Sequence, residues 1–190
     1  MAATPFRTLL DAAMAQARSA PADPSARMKL FRLFCVSGQW DRAATQADTG
    51  SNLDAELGFT TLVYKQALAC EKFRADVFAG TRVPVIAGEP PQWLALMLEA
   101  LRAEAGGDPQ ARSRAAQLRG QAMEGAQAVA GTLNGQAFEW VADADPRLGP
   151  VCECFIDGKY YWVPFDRIAN DRQLRDQGSI LSVLRPALHR

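Results

Sequence analysis

VCECFIDGKYYWVPF, the stretch Val151–Phe165, is the clearest structural element in this chain of 190 residues. Asp157-Gly158 is a two-residue turn signal between two segments rich in apolar and aromatic residues. Pairing outward from the turn predicts six cross-strand pairs, which are Ile156–Lys159, Phe155–Tyr160, Cys154–Tyr161, Glu153–Trp162, Cys152–Val163 and Val151–Pro164. The stretch therefore predicts an antiparallel hairpin, and its proline marks an edge strand or the end of a strand.

Both faces of this predicted hairpin are largely apolar and need to be covered. One face can pack on helices. The face with Phe155, Tyr160 and Trp162 requires either more of the same chain or a partner protein. Both interpretations stay open at this point, so these three residues form a candidate second interface.

A shorter hairpin precedes this one. Leu133-Asn134-Gly135-Gln136 contains the Asn-Gly pair that favours a tight turn. The residues that follow alternate, with Phe138 and Trp140 on one face, which predicts a strand through this region.

The N-terminal part carries apolar residues at helical spacing. The pattern predicts a helix at residues 4–18, a second helix capped by Asp23 or Ser25, and a third that begins at Trp40. A long helical segment follows at residues 52–79, with a break at Gly58.

Two more helices are predicted, one after a Pro/Gly-rich loop at residues 80–91 and one from Pro109 to Ala126. Helices followed by strands are typical of an α+β fold. We therefore expect a helical, tetratricopeptide-like array at residues 1–128, a small part with β-hairpins at 129–168, and a weakly structured tail at 169–190.

The tetratricopeptide-like interpretation comes from the turn SGQWDRA, residues 37–43. Gly38 permits a tight turn between two helices, Trp40 wedges between them, and Ala43 allows them to approach closely. This Gly-x-aromatic-x-x-Ala spacing is typical of the turn inside a tetratricopeptide-like repeat, although no clean second copy is visible.

Composition favours a soluble globular protein, with 48% hydrophobic and 22% charged residues. The 21 basic and 21 acidic residues balance, so neither nucleic acid nor an anionic membrane is an expected partner. No apolar stretch approaches the roughly 20 residues that span a bilayer, and no export signal opens the chain. We expect a cytoplasmic protein.

The sequence offers few residues from which a catalytic centre could be built. The single histidine, His189, argues against Ser-His-Asp, Cys-His and histidine-ligated metal sites. Cys35, Cys70, Cys152 and Cys154 show no CxxC spacing. The last two are expected to pack in the core, with their sulfurs about 7 Å apart on one strand face. No cofactor is expected.

Asp143 and Asp145 are the best candidates for binding a hard cation, with Glu139 or Glu153 as a further oxygen ligand. Pro146 nevertheless marks a turn here, and aspartates in turns accept backbone hydrogen bonds. We predict that both aspartates accept backbone hydrogen bonds in this turn. The alternative is a metal-dependent enzyme that uses the aspartate pair.

Four stretches, in this order, resemble the ImpE family of bacterial type VI secretion accessory proteins. They are LFCVSGQWDRA at 33–43, GEP at 88–90 before WLAL at 93–96, FEWVADAD at 138–145 with RLGP at 147–150, and YYWVPF at 160–165. The resemblance covers about residues 9–168. Compared with typical members, the chain is expected to lack most of the first helix and to end early after Ile168.

The resemblance implies a tetratricopeptide-like helical part joined to a smaller α/β part, without catalytic activity. It also implies a cytoplasmic adaptor that binds the N-terminal helix of the small contractile-sheath subunit. Through that subunit the adaptor would connect the sheath with the AAA+ ATPase that disassembles it.

An amphipathic helix docks by burying anchors at i, i+3, i+4 and i+7 in an apolar groove. The candidate groove residues are Leu30, Phe31, Phe34, Trp40, Leu53, Leu57 and Tyr64. Besides the metal-dependent enzyme, a second alternative is a homo-oligomer that closes through the face of Tyr160 and Trp162.

Overall fold

The computed structural model describes residues 5–133, 135–173 and 182–186, with side chains as far as Ile168. Its helices are α1 (Phe6–Ser19), α2 (Pro24–Val36), α3 (Trp40–Leu53), α4 (Gly58–Phe78), α5 (Gln92–Glu104) and α6 (Pro109–Gly125). Its strands are β1 (Val85–Ile86), β2 (Gly131–Leu133), β3 (Gln136–Phe138), β4 (Val151–Ile156), β5 (Lys159–Pro164), β6 (Ile168–Gln173) and β7 (Ser182–Pro186). Short 3₁₀ turns lie at Ala55–Leu57 and Phe165–Arg167. The predicted α+β class is confirmed.

The chain forms two compact units, Met1–Lys72 (unit 1) and Phe73–Arg190 (unit 2). The change from helices to strands follows α6, close to the predicted boundary at residue 128. The compact units instead divide within α4, because the last turns of this helix pack with the strands.

Unit 1 is a helical array that begins as the sequence predicts. The Asp23 carboxylate accepts a hydrogen bond of 2.9 Å from the Ser25 backbone N–H, and Pro24 occupies the first turn of α2. Gly38 adopts a φ of 69° in the turn between α2 and α3, a conformation that favours glycine.

Small residues bring α2 and α3 close together. Ala43 and Ala47 of α3 are completely buried. A Cβ on Gly50 would lie 3.2 Å from the Met28 sulfur, so a larger residue would press against α2. The core of unit 1 consists of Leu10, Ala13, Ala17, Ala26, Met28, Leu30, Phe31, Phe34, Ala43, Ala47 and Leu68.

The hairpin of β4 and β5 in unit 2 has the predicted register at all six pairs, from Val151↔Pro164 to Ile156↔Lys159. Asp157 and Gly158 have φ angles of 49° and 70°. Positive φ at both central residues is what a type I′ turn requires, and this turn matches the right-handed twist of the strands.

The proposed edge position of β5 is wrong, because the strand lies in the middle of the sheet, in the order β1-β5-β4. Short strand β1 pairs with it in parallel at Val85↔Tyr161 and Ile86↔Trp162. The strand does end at Pro164, the other outcome that the proline allowed.

The loop after β1 is held by Arg167, whose guanidinium donates to the carbonyl oxygens of Ala87 and Glu89. Gly88 between them has a φ of 76°, and a Cβ there would lie 2.9 Å from Arg167 Nη1. Glycine is therefore favoured here by its backbone conformation, and a side chain would also require the arginine to shift.

Helices α5 and α6 pack against each other in unit 2. Helix α5 buries Trp93, Leu94, Met97, Ala100 and Leu101, close to the predicted apolar face. Helix α6 buries only Ala115 and Ala122, as expected of a helix that sits close to its neighbour.

Two C-terminal expectations need correction. Strand β3 ends at Phe138 because its partner β2 has only three residues, so Trp140 lies outside the ladder and is 67% exposed. The second expectation is a weakly structured tail, yet β6 and β7 pair there as antiparallel strands. Ladder hydrogen bonds join backbone groups, so they can form without alternation of apolar and polar side chains. The turn residue Asn134 and the histidine at 189 lie outside the described residues.

Candidate functional site

The first half of α4 presents large apolar side chains to solvent. Phe59 is 79% exposed and Leu62 is 56% exposed. Gln66 and Ala69 continue the same exposed face at helical spacing. We call these four residues the α4 outer stripe. Its four residues are uncharged, and the exposed Lys65 and Lys72 that border it at helical spacing each pair with an aspartate of α3.

The opposite face of α4 is fixed on the rest of unit 1. The buried Thr61 hydroxyl donates to the Ala47 carbonyl oxygen at 3.4 Å, and Lys65, at the edge between the two faces, pairs with Asp48 at 2.9 Å. The ring of Tyr64 stacks on Phe31 with centroids 4.9 Å apart. These contacts fix the rotation of α4 and leave the outer stripe facing away from the core.

The seven predicted groove residues do not form one surface. Leu30, Phe31 and Phe34 are buried, and Trp40, Leu57 and Tyr64 are half-buried against the same core. Leu53 is 42% exposed at the end of α3.

A second feature of unit 1 is a groove of about 320 Å³ between α1, α2 and α3, which we call the arginine groove. Its apolar lining is Met14, Ala17, Leu30 and Phe34, so two predicted groove residues lie here. Its charged lining is Arg18, Arg27 and Arg42, one from each helix. The Arg42 guanidinium lies over the Phe34 ring, 4.1 Å from the centroid.

The aromatic face of the β4–β5 hairpin is covered by the chain itself. Tyr160 is 2% exposed and Trp162 is completely buried, whereas Phe155 is 39% exposed. Phe73 and Phe78 from the last turns of α4 contact these rings, at centroid distances of 6.4 Å to Tyr160 and Trp162 respectively. The second-interface hypothesis, and the homo-oligomer built on it, are therefore wrong for Tyr160 and Trp162.

A buried polar network fixes these aromatic residues. The Trp162 indole N–H donates to the Tyr160 hydroxyl at 2.7 Å, and that hydroxyl donates to the Glu153 carboxylate. Arg74 donates two hydrogen bonds to the same carboxylate, at 2.6 Å and 2.9 Å. Burial, reinforced by the hydrogen bond to Glu153, raises the pKa of Tyr160 well above its usual range, so its phenol remains a donor.

The aspartate pair is engaged in the turn, as predicted. Asp143 accepts a hydrogen bond of 2.7 Å from the backbone N–H of Asp145. Asp145 in turn accepts from the Arg147 backbone N–H at 2.9 Å and pairs with the Arg147 guanidinium at 2.6 Å. The hydrogen bond from the Arg147 side chain holds the pKa of Asp145 below its ordinary value.

This lowered pKa predicts a pH-dependent contribution to stability. The ionised Asp145 stabilises the folded state above the unfolded pKa of about 3.9, and this contribution is lost as pH falls through the folded pKa. Both partners are partly exposed, so we expect Asp145→Asn to cost about 1 kcal/mol at pH 7. In urea unfolding, the difference from the parent chain should shrink progressively as pH falls below the unfolded pKa and through the lowered folded pKa. The exposed Asp11, paired with Arg7 at 3.6 Å, supplies the control Asp11→Asn. A pH-independent deficit for Asp145→Asn would contradict the ion-pair explanation.

The cysteines occupy packed positions. The sulfurs of Cys152 and Cys154 lie 3.9 Å apart, closer than the spacing expected from strand rise. Of the two strand cysteines expected in the core, Cys154 is buried, whereas Cys152 is only half-buried. Burial, with a smaller contribution from the charge of Glu71, raises the pKa of Cys35 and Cys70, which disfavours their thiolates.

Sequence reasoning missed three sets of residues. The outer stripe had a signal, because the segment at 52–79 has apolar residues on more than one helix face, of which only one can face the core. The three groove arginines come from three helices and share no spacing. The Arg74–Glu153 pair joins residues 79 positions apart, and no local pattern indicates it.

The described residues contain neither a candidate membrane span nor a candidate metal cluster. No helix there is both long enough and apolar enough to span a membrane. Within the same part of the chain, no three His, Cys, Asp or Glu side chains are grouped so that they could hold a metal ion.

Comparison with a solved structure supports the fold. The X-ray crystal structure of a Vibrio parahaemolyticus protein superposes with a TM-score of 0.81 at 23% sequence identity. The match covers 92% of this chain and 64% of that one.

Comparison with known sequences supports the family resemblance. The family described as ImpE protein matches residues 135–176. The type VI secretion system accessory component TagJ of Pseudomonas aeruginosa is 42% identical over 159 residues. That alignment covers 84% of this chain and 56% of TagJ, so the chain spans just over half the length of this relative. The two matches confirm the predicted resemblance: the chain is a homologue of TagJ and carries an ImpE-family segment.

Proposed function

We propose that this protein is a non-enzymatic accessory protein of a type VI secretion system that acts as a cytoplasmic adaptor. It binds the N-terminal helix of the small contractile-sheath subunit and connects the sheath with the AAA+ ATPase that disassembles it. The homology to TagJ supports the accessory role. The observation that carries the binding proposal is the exposed, uncharged outer stripe of α4.

The geometry of the stripe suits a helix as the ligand. Phe59, Leu62, Gln66 and Ala69 follow one side of α4 for about three turns, which is enough to pack a partner helix lengthwise. Phe59 and Leu62 supply large anchors, and Ala69 allows close approach. Of the predicted groove residues, Leu53 and Leu57 lie just before α4 in the chain and are the ones we include in this site.

The non-enzymatic role is supported by the engagement of the candidate catalytic groups. Asp143 and Asp145 accept hydrogen bonds within their turn, and Arg147 neutralises the second of them. Glu153 is held by Arg74 and Tyr160. These carboxylates stabilise the fold of unit 2, and structural use is sufficient to explain them.

Replacing the two stripe anchors tests the proposal. We expect Phe59→Asp/Leu62→Asp to weaken binding of a synthetic sheath-subunit N-terminal helix at least about 100-fold in calorimetry, because two desolvated anchors are lost. The fold should survive, since both side chains are exposed. The buried Phe34 and the stacked Tyr64 are unsuitable for this test, because aspartate at either position would disrupt the core.

Val36 supplies the matched control, because it is 75% exposed at the end of α2 and lies outside the stripe. Val36→Asp should bind the helix like the parent chain. Equal binding by the stripe variant and the control would refute this docking site. Capture of the AAA+ ATPase should require both this protein and the assembled sheath proteins, and direct capture without sheath would contradict the proposed linkage.

A further inference from the structure

We propose that the arginine groove is a separate docking site for an acidic amphipathic peptide segment, in which an apolar side chain is flanked by carboxylates. The groove and the α4 outer stripe are formed by different residues, so this inference does not depend on the proposed function.

The charge of the groove is uncompensated. It is lined by Arg18, Arg27 and Arg42, and none of its lining residues is acidic. In the part of the chain whose side chains are described, none of these three arginines forms an ion pair with a carboxylate. Three guanidinium groups gathered without a counter-charge favour an anionic ligand.

The present partners of the arginines are neutral. Arg27 donates to the Gln46 side chain at 3.3 Å and to the Pro21 carbonyl at 3.1 Å, and its buried Nε finds no acceptor among the described residues. Arg42 donates to Gln39. Guanidinium groups bind carboxylates through paired hydrogen bonds, which are stronger than bonds to neutral acceptors.

The apolar lining decides the class of ligand. Met14, Ala17, Leu30 and Phe34 contribute to the same 320 Å³ space, which is large enough for one or two side chains of a partner. A free inorganic anion would leave this apolar surface unused. A peptide with Leu or Phe beside Asp or Glu satisfies both the arginines and the apolar lining.

The test selects from a phage-displayed library of random 12-residue peptides on the immobilised full chain, with the Arg18→Glu/Arg42→Glu variant used for counter-selection. We expect enriched sequences in which two Asp or Glu flank a Leu or Phe. The best peptide, made synthetically, should bind at least 10-fold more weakly to Arg18→Glu than to the parent chain. Its affinity should also fall when salt is raised from about 50 mM to about 0.5 M.

Arg18 is exposed and makes no hydrogen bond in the described part of the chain, so its replacement leaves the fold intact. Arg7→Glu, on α1 outside the groove, is the control and should bind like the parent chain. The proposal is overturned if no acidic sequences are enriched, or if inorganic phosphate at millimolar concentration displaces the peptide completely. It is also overturned if Phe59→Asp/Leu62→Asp, rather than Arg18→Glu, abolishes binding, since the peptide would then occupy the stripe.

Discussion

Replacing Trp162 by alanine is expected to destabilise unit 2 by about 3–5 kcal/mol, the range for removing a fully buried large aromatic side chain. The loss has two components. Loss of the indole ring would leave a cavity and remove the contact with Phe78, whose ring centroid lies 6.4 Å from that of the tryptophan. It would also deprive the Tyr160 hydroxyl of the indole N–H that donates to it at 2.7 Å.

Hydrogen exchange measured by mass spectrometry localises this effect. Peptides covering β4 and β5 should lose protection in Trp162→Ala, whereas those covering α1 and α2 in unit 1 should change little. Trp140→Ala is the matched control, because Trp140 is 67% exposed and the same substitution there should cost less than about 0.5 kcal/mol. Similar losses of protection in both variants would contradict the burial that defines this core.

The register of the central hairpin could be predicted because its turn is local. Asp157-Gly158 fixes which residues face each other, and a shift by one residue would exchange the two faces of both strands. The two-residue strand Val85–Ile86 could not be predicted, because its partner lies about 76 positions away and two residues show no alternation. The position of β5 in the sheet therefore followed only from tertiary structure.

The candidate site was predicted less completely. Residues such as Leu30 and Phe34 were recognised as apolar, but a helical pattern does not say which of its apolar residues face the core and which face a ligand. Phe59 and Leu62 are exposed because Thr61 and Tyr64 direct the other face of α4 inward. That choice depends on packing between helices, which sequence periodicity alone does not contain.

Replacing Glu153 by alanine is expected to destabilise unit 2 by about 2–3 kcal/mol, since its carboxylate joins three elements of the structure. It accepts two hydrogen bonds from Arg74 and one from Tyr160. The alanine variant leaves the Tyr160 hydroxyl without its acceptor and the arginine without its partly buried counter-charge. Urea unfolding followed by circular dichroism measures the loss.

Three further variants separate charge from general packing. Glu153→Gln keeps an acceptor for the Tyr160 hydroxyl but removes the charge, so it should recover part of the stability. Glu139→Ala, at an exposed position, should change stability by less than about 0.5 kcal/mol. Tyr160→Phe combined with Glu153→Ala should cost less than the sum of the single variants, because both remove the same hydrogen bond. Strict additivity would mean that the hydrogen bond between Tyr160 and Glu153 contributes nothing to stability, and would contradict this explanation.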